Sequence, residues 1–188
     1  MNKLLSFVFV SLVACVTTPV LAQDAQGDAK AGEKKIAMCI GCHGIVGYQA
    51  SFPEVHRVPM ISGQSAKYIS SALNAYKKGE RKHPTMRGIA DSLSDQDIAD
   101  VAAYYEQHGK TDAVVPAPTA PDAKVAALLQ KGACVSCHGD NFSKPVDPSY
   151  PKIAGQHKDF LFVALKSYKT ENQSTWGRSN GVMGGIAK

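Results

Sequence analysis

The chain is 188 residues long and 44% hydrophobic, with 21 Lys and Arg against 16 Asp and Glu for a formal net charge of +5. That length holds one or two small domains. The charge divides as +1 over residues 23–110 and +3 over residues 111–188, with no dense basic run, which excludes a nucleic-acid-binding module.

Residues 1–22 read as an export signal and not as part of the fold. Lys3 gives a positive start, Leu4 to Val16 is a nearly continuous apolar run, and Val20-Leu21-Ala22 places small residues for cleavage after Ala22. The run is too short to favour a membrane-spanning helix, and nothing later approaches its hydrophobicity. A lipoprotein box at Leu12-Val13-Ala14-Cys15, with Cys15 lipidated, is the alternative. An exported, periplasmic protein follows. Of the five cysteines, Cys15 leaves with the signal and four remain, in two pairs.

Asp28 to Met38 is expected to be a short helix. Ser65 to Lys78 is expected to be a second, with an apolar stripe at Ile69, Ala72, Leu73 and Tyr76 and Gly79 as its stop. Ser94 caps a third, with Asp95 and Asp97 in its first turn and Ile98, Val101, Ala102 and Tyr105 as its buried face. It runs to about Gln107. Residues 111–122 carry Pro116, Pro118 and Pro121 among small residues and read as a semi-rigid linker. Helices are expected again at Ala123–Ala133 and His157–Thr170, and no strand pattern is evident.

The chain repeats itself. Cys39-x-x-Cys42-His43-Gly44 recurs as Cys134-x-x-Cys137-His138-Gly139. Pro59-Met60-Ile61-Ser62-Gly63-Gln64 recurs as Pro151-Lys152-Ile153-Ala154-Gly155-Gln156, and Met86-Arg87-Gly88-Ile89-Ala90 as Met183-Gly184-Gly185-Ile186-Ala187. The copies occupy residues 23–110 and 123–188. In the first, Ile89-Ala90 is followed by the capped helix. In the second, Ile186-Ala187 is followed only by Lys188, so the second domain is expected to lack its C-terminal helix and the natural protein to be longer.

Cys-x-x-Cys-His is a specific signal for c-type haem attachment. Two thiols separated by two residues on a turn reach the two vinyl groups of one porphyrin, and the adjacent imidazole meets the iron from that side. Cys39, Cys42, Cys134 and Cys137 are thus the attachment residues of two covalent haems, and His43 and His138 the proximal ligands. A redox dithiol does not need the His, and a zinc site needs four ligands in one domain. The second copy has a single methionine, Met183, which aligns with Met86. A methionine on the sixth position closes the iron and suits electron transfer, so Met86 and Met183 are the distal candidates. His56, His83 and His157 are alternatives without a repeat partner. Lys77-Lys78 with Arg81-Lys82 reads as a solvated helix end, against a docking or propionate-pairing patch. A domain this small buries little on its own, so the haem-free chain is expected to be largely unfolded.

Each copy resembles a class I cytochrome c domain, and two copies behind a signal peptide, each with Ile-x-Gly-Gln, resemble the diheme cytochrome c4 family. The resemblance implies a mostly α fold of tandem domains, each wrapped around a haem. It implies that the carbonyls of Pro59 and Pro151 accept a hydrogen bond from Nδ1 of His43 and His138, and that the helix at 28–38 crosses the one at 94–107. It makes Tyr76, Tyr168, Trp176, Arg81 and Arg178 candidates for contacts to the haem propionates or edges. The function implied is a periplasmic, soluble electron carrier between a quinol-oxidising complex and a terminal oxidase or reductase. The alternative is the diheme subunit of a dehydrogenase, flavocytochrome types included, and a third reading is a diheme peroxidase. The partners implied are redox proteins, with peripheral membrane association left open.

Overall fold

The computed structural model describes residues 25–109, 119–170 and 173–188. The signal, Cys15 and most of the linker lie outside these residues.

The first domain opens with α1 (Ala29–Glu33), capped by Asp28, and α2 (Ala37–His43). One helix over Asp28–Met38 is therefore replaced by two, joined by a turn at Lys34–Ile36. The turn has a physical role. It sends Ile36 into the core and lets Lys35 Nζ reach Asp97 (2.7 Å) and Asp100 (2.6 Å) on a later helix. A hairpin of β1 (Gln49–Ala50) and β2 (His56–Arg57) follows. Then come α3 (Ala66–Lys77), β3 (Arg81–Lys82), α4 (Pro84–Asp91) and α5 (Asp95–Gln107).

Helix α3 starts where Ser65 accepts from the Tyr68 N–H and stops before Gly79, whose φ of +74° suits glycine. It buries Ile69 and Leu73, which stabilise the domain by about 3–6 kcal/mol together. Helix α5 carries a full capping box, Ser94 with Asp97, and buries Ile98, Val101, Ala102 and Tyr105 as its sequence requires. Helix α1 crosses α5 at close range. A Cβ on Gly32 would lie 2.1 Å from the Asp100 carbonyl oxygen, so only glycine allows this approach.

The second domain holds α6 (Ala123–Lys131), α7 (Val135–His138), α8 (Lys158–Ser167), β4 (Gly177–Arg178) and α9 (Gly181–Ala187). Among the described residues it has no counterpart of α5, and α6 has no buried residue. Among the described residues its buried apolar side chains are Val163 and Ala164, against nine in the first domain.

The domains are joined by more than the linker. Strand β3 pairs antiparallel with β4, Arg81 opposite Arg178. Helix α8 rests on the first domain's hairpin, where Arg57 Nε meets Asp159 at 3.0 Å and Glu54 meets Lys166 at 3.1 Å. The four strands are only two residues long, too short to register as alternation.

Asp100 is 3% exposed and accepts from Lys35, the Asp28 N–H and Gln96. The Lys35 ammonium first, then the Asp28 N–H, holds its carboxyl below the ordinary 3.8. A depressed carboxyl contributes stability above its unfolded pKa and loses it as pH falls through the folded one. Asp100→Asn is expected to lower the melting temperature at pH 7 by about 4–8 °C, the worth of about 1 kcal/mol in a small domain with Lys35 partly solvated. The gap between variant and parent should narrow as pH drops below about 4. Melting curves at pH 7 and pH 3 check this; a gap as wide at pH 3 as at pH 7 contradicts it.

Candidate haem sites

Helix α2 presents Cys39, Cys42 and His43 within two turns, and Cys39 and Cys42 share a face because they are three apart. In the second domain Cys134 precedes α7, which holds Cys137 and His138. All four thiols are free. Among the described residues no three His, Cys, Asp or Glu side chains gather as a metal site.

The two histidines are held alike. His43 Nδ1 lies 2.8 Å from the Pro59 carbonyl, and His138 Nδ1 lies 2.9 Å from the Pro151 carbonyl. A carbonyl only accepts, so Nδ1 carries the proton and Nε2 keeps its lone pair. Burial, partly offset by the Pro59 bond, pushes the His43 pKa below 6.5, so that ring is neutral at pH 7. Both bonds follow the family expectation.

The structure places Met86 and Met183 at the same point of equivalent helices. Each is the third residue of a short helix that begins just after one strand of the shared β3–β4 pair. The Met86 N–H is capped by His83 Nδ1 at 3.4 Å and the Met183 N–H by Asn180 Oδ1 at 2.9 Å. Both methionines are half-buried. Of the alternatives, His83 caps α4 through Nδ1, and His56 Nδ1 sits 2.8 Å from the Glu54 carbonyl.

Arg81 is not part of a solvated helix end. It is half-buried, its guanidinium lies 4.7 Å from the Tyr76 ring centre, and its Nη1 reaches Tyr68 Oη at 3.4 Å. Opposite it, Arg178 lies over Tyr168 at 5.5 Å and Phe160 at 5.6 Å. Neither has a carboxylate partner among the described residues, and Arg81 Nε is buried with no hydrogen-bond partner at all. An unpaired buried donor on a cation is costly. Trp176 is half-buried beside β4.

This donor set fits haem. Each half offers two free thiols, an imidazole held through Nδ1, and a methionine thioether. The paired arginines, one with an orphaned Nε, supply the cationic setting that the propionates of a porphyrin would require.

A family model described as Cytochrome c matches residues 29–108 and 123–188. Cytochrome c4 of Stutzerimonas stutzeri is 32% identical over all of this chain and 91% of that protein. The chain belongs to the cytochrome c4 family. It is a diheme electron-transfer protein, with two covalently bound c-type haems. The crystal structure of reduced recombinant cytochrome c4 from Pseudomonas stutzeri superposes with a TM-score of 0.59 at 28% identity, over 86% of this chain and 90% of that one. A protein named thiosulfate dehydrogenase electron acceptor, from Stutzerimonas stutzeri strain A1501, is 30% identical over 94% of this chain and 84% of its own length.

The arginine pairing was open to sequence reasoning only in part. Arg81 and Arg178 were visible as candidates through the family resemblance. Their position opposite one another required the strand pair that no pattern announces.

Proposed function

We propose that Cys39, Cys42, His43 and Met86 hold one haem and Cys134, Cys137, His138 and Met183 the other, within domains at 23–110 and 123–188. The observation that carries this is the twofold recurrence of one arrangement. In each half a histidine is locked through Nδ1 to a proline carbonyl, and a methionine stands third in a capped helix off the shared strands. Haem, when bound, supplies a one-electron ferric–ferrous couple. The residues would orient the imidazole, offer a thioether as a further ligand and set cations where propionates could meet them.

The proposed role is a periplasmic carrier that takes electrons from a quinol-oxidising complex and gives them to a terminal oxidase or reductase. The export-type residues 1–22 support that location, and no helix among the described residues is long and apolar enough to cross a membrane. Membranes holding both complexes, washed free of soluble cytochromes, are expected to regain quinol-driven oxygen uptake when the holoprotein is added. The thiosulfate dehydrogenase acceptor among the relatives supports a second reading, in which a dehydrogenase reduces this chain. No recovery with the membranes, together with rapid reduction by a thiosulfate-oxidising enzyme, would replace the first reading with the second.

A further inference from the structure

The repeated Ile-x-Gly-Gln block ends in a glutamine that serves the other domain. Gln64 pairs its side-chain amide with the main chain of Lys152. Its Oε1 accepts from the Lys152 N–H at 3.0 Å and its Nε2 donates to the Lys152 carbonyl at 2.5 Å. Gln156 does the same to Met60, at 3.1 Å and 2.9 Å. Lys152 and Met60 each follow the proline whose carbonyl holds a histidine. One peptide group, Pro151–Lys152, therefore accepts from His138 Nδ1 on its oxygen and donates to Gln64 from its nitrogen. The Pro59–Met60 peptide stands between His43 and Gln156 in the same way.

We propose that each glutamine is a positioning residue for the iron site of the opposite domain. A peptide whose N–H is donated carries more negative charge on its carbonyl, because bonds in a chain polarise one another. The Pro151 carbonyl then draws harder on the His138 Nδ1 proton, the ring becomes a more basic ligand, and the ferric state is favoured. Gln64 thereby holds down the potential of the site built on His138, and Gln156 that of the site built on His43. The two ends differ in exposure. Gln64 is 7% exposed, whereas Met60 is 42% exposed and its N–H can turn to water when Gln156 is lost. The Gln64 effect is the larger.

This inference rests on the proposed histidine ligands, and the two fail separately. A His138→Gly holoprotein that kept both haems low-spin would sink the ligand assignment. The relay is tested in Gln64→Leu and Gln156→Leu by NMR-monitored redox titration, which resolves the two sites. Gln64→Leu is expected to raise the ferrous-to-ferric ratio of the second-domain site about threefold at fixed ambient potential, about 28 mV at 59 mV per tenfold, and to leave the first-domain site unchanged. Gln156→Leu should move only the first-domain site, by less. Its exposed contact makes it the safer variant for folding. A shift in the substituted domain's own site, an equal shift in both, or no shift in variants that keep their low-spin spectra overturns the proposal.

Discussion

Met86→Ala is expected to remove half of the methionine-to-iron absorption band of the oxidised protein, and Met183→Ala the other half. Each variant should leave one iron with a free position, so that the reduced protein binds carbon monoxide rapidly at one haem per chain. The reason lies in the two helices that carry these residues. Helices α4 and α9 each start three residues after one of the paired arginines, Arg81 and Arg178, and in each the backbone N–H of the methionine is tied to the capping side chain. Met86 also packs against the first-domain core. Met60, which sits at the peptide that braces His43, aligns with Lys152 in the second half and so has no thioether counterpart there. A thioether stabilises the ferrous state, so its loss should also lower the potential of the affected site. An unchanged band in either variant overturns the assignment of that methionine.

Gly32→Leu is expected to cost the first domain about 3 kcal/mol or more, a fall in melting temperature of roughly 12 °C or more for a domain of this size. The added Cβ would meet the carbonyl oxygen and carbon of Asp100 at 2.1 and 2.7 Å. These are backbone atoms in the middle of α5 and cannot swing aside. Separating α1 from α5 would also pull Lys35 from Asp97 and Asp100 and uncover Ile98 and Val101, which are 2% exposed. Glu33→Leu, next to it on an exposed position, should stay within about 0.5 kcal/mol. Thermal melts of the holoproteins separate the two. Equal melting temperatures for Gly32→Leu and the parent would show that the crossing is looser than the structure has it.

Helix α5 was legible because its signals are local and redundant: Ser94 with Asp97 at the start, and a four-residue apolar stripe through Tyr105. The thiols, histidines and methionines were legible because the chain states them twice. What was hidden depends on partners far along the chain. Arg81-Lys82 and Gly177-Arg178 have no alternation to read, and each is a strand only because the other is there. Helix α4 has a start signal, Pro84 after a capping His83, but Gly88 within it weakens the pattern, and α9 carries Gly181, Gly184 and Gly185. The split between α1 and α2 follows from Lys35 reaching Asp100, a contact across 65 positions. Gln64 and Gln156 stood out as a repeat, yet a side-chain amide reaching another domain leaves no period in the sequence.

The glutamine contacts are made by the same patch from both sides, Gln64 to Lys152 and Gln156 to Met60. Between separate molecules such a contact would be called isologous, the self-complementary kind that closes a twofold dimer. Here it closes within one polypeptide. The surface with which one copy would pair with another is already occupied by its own second half, so the contact has no open end to extend into a chain of molecules. The symmetry is not complete, since Met60 stands where the other half has Lys152, whose Nζ reaches the Gly63 carbonyl at 2.7 Å. That difference is one that makes the two halves distinguishable at the point where they touch.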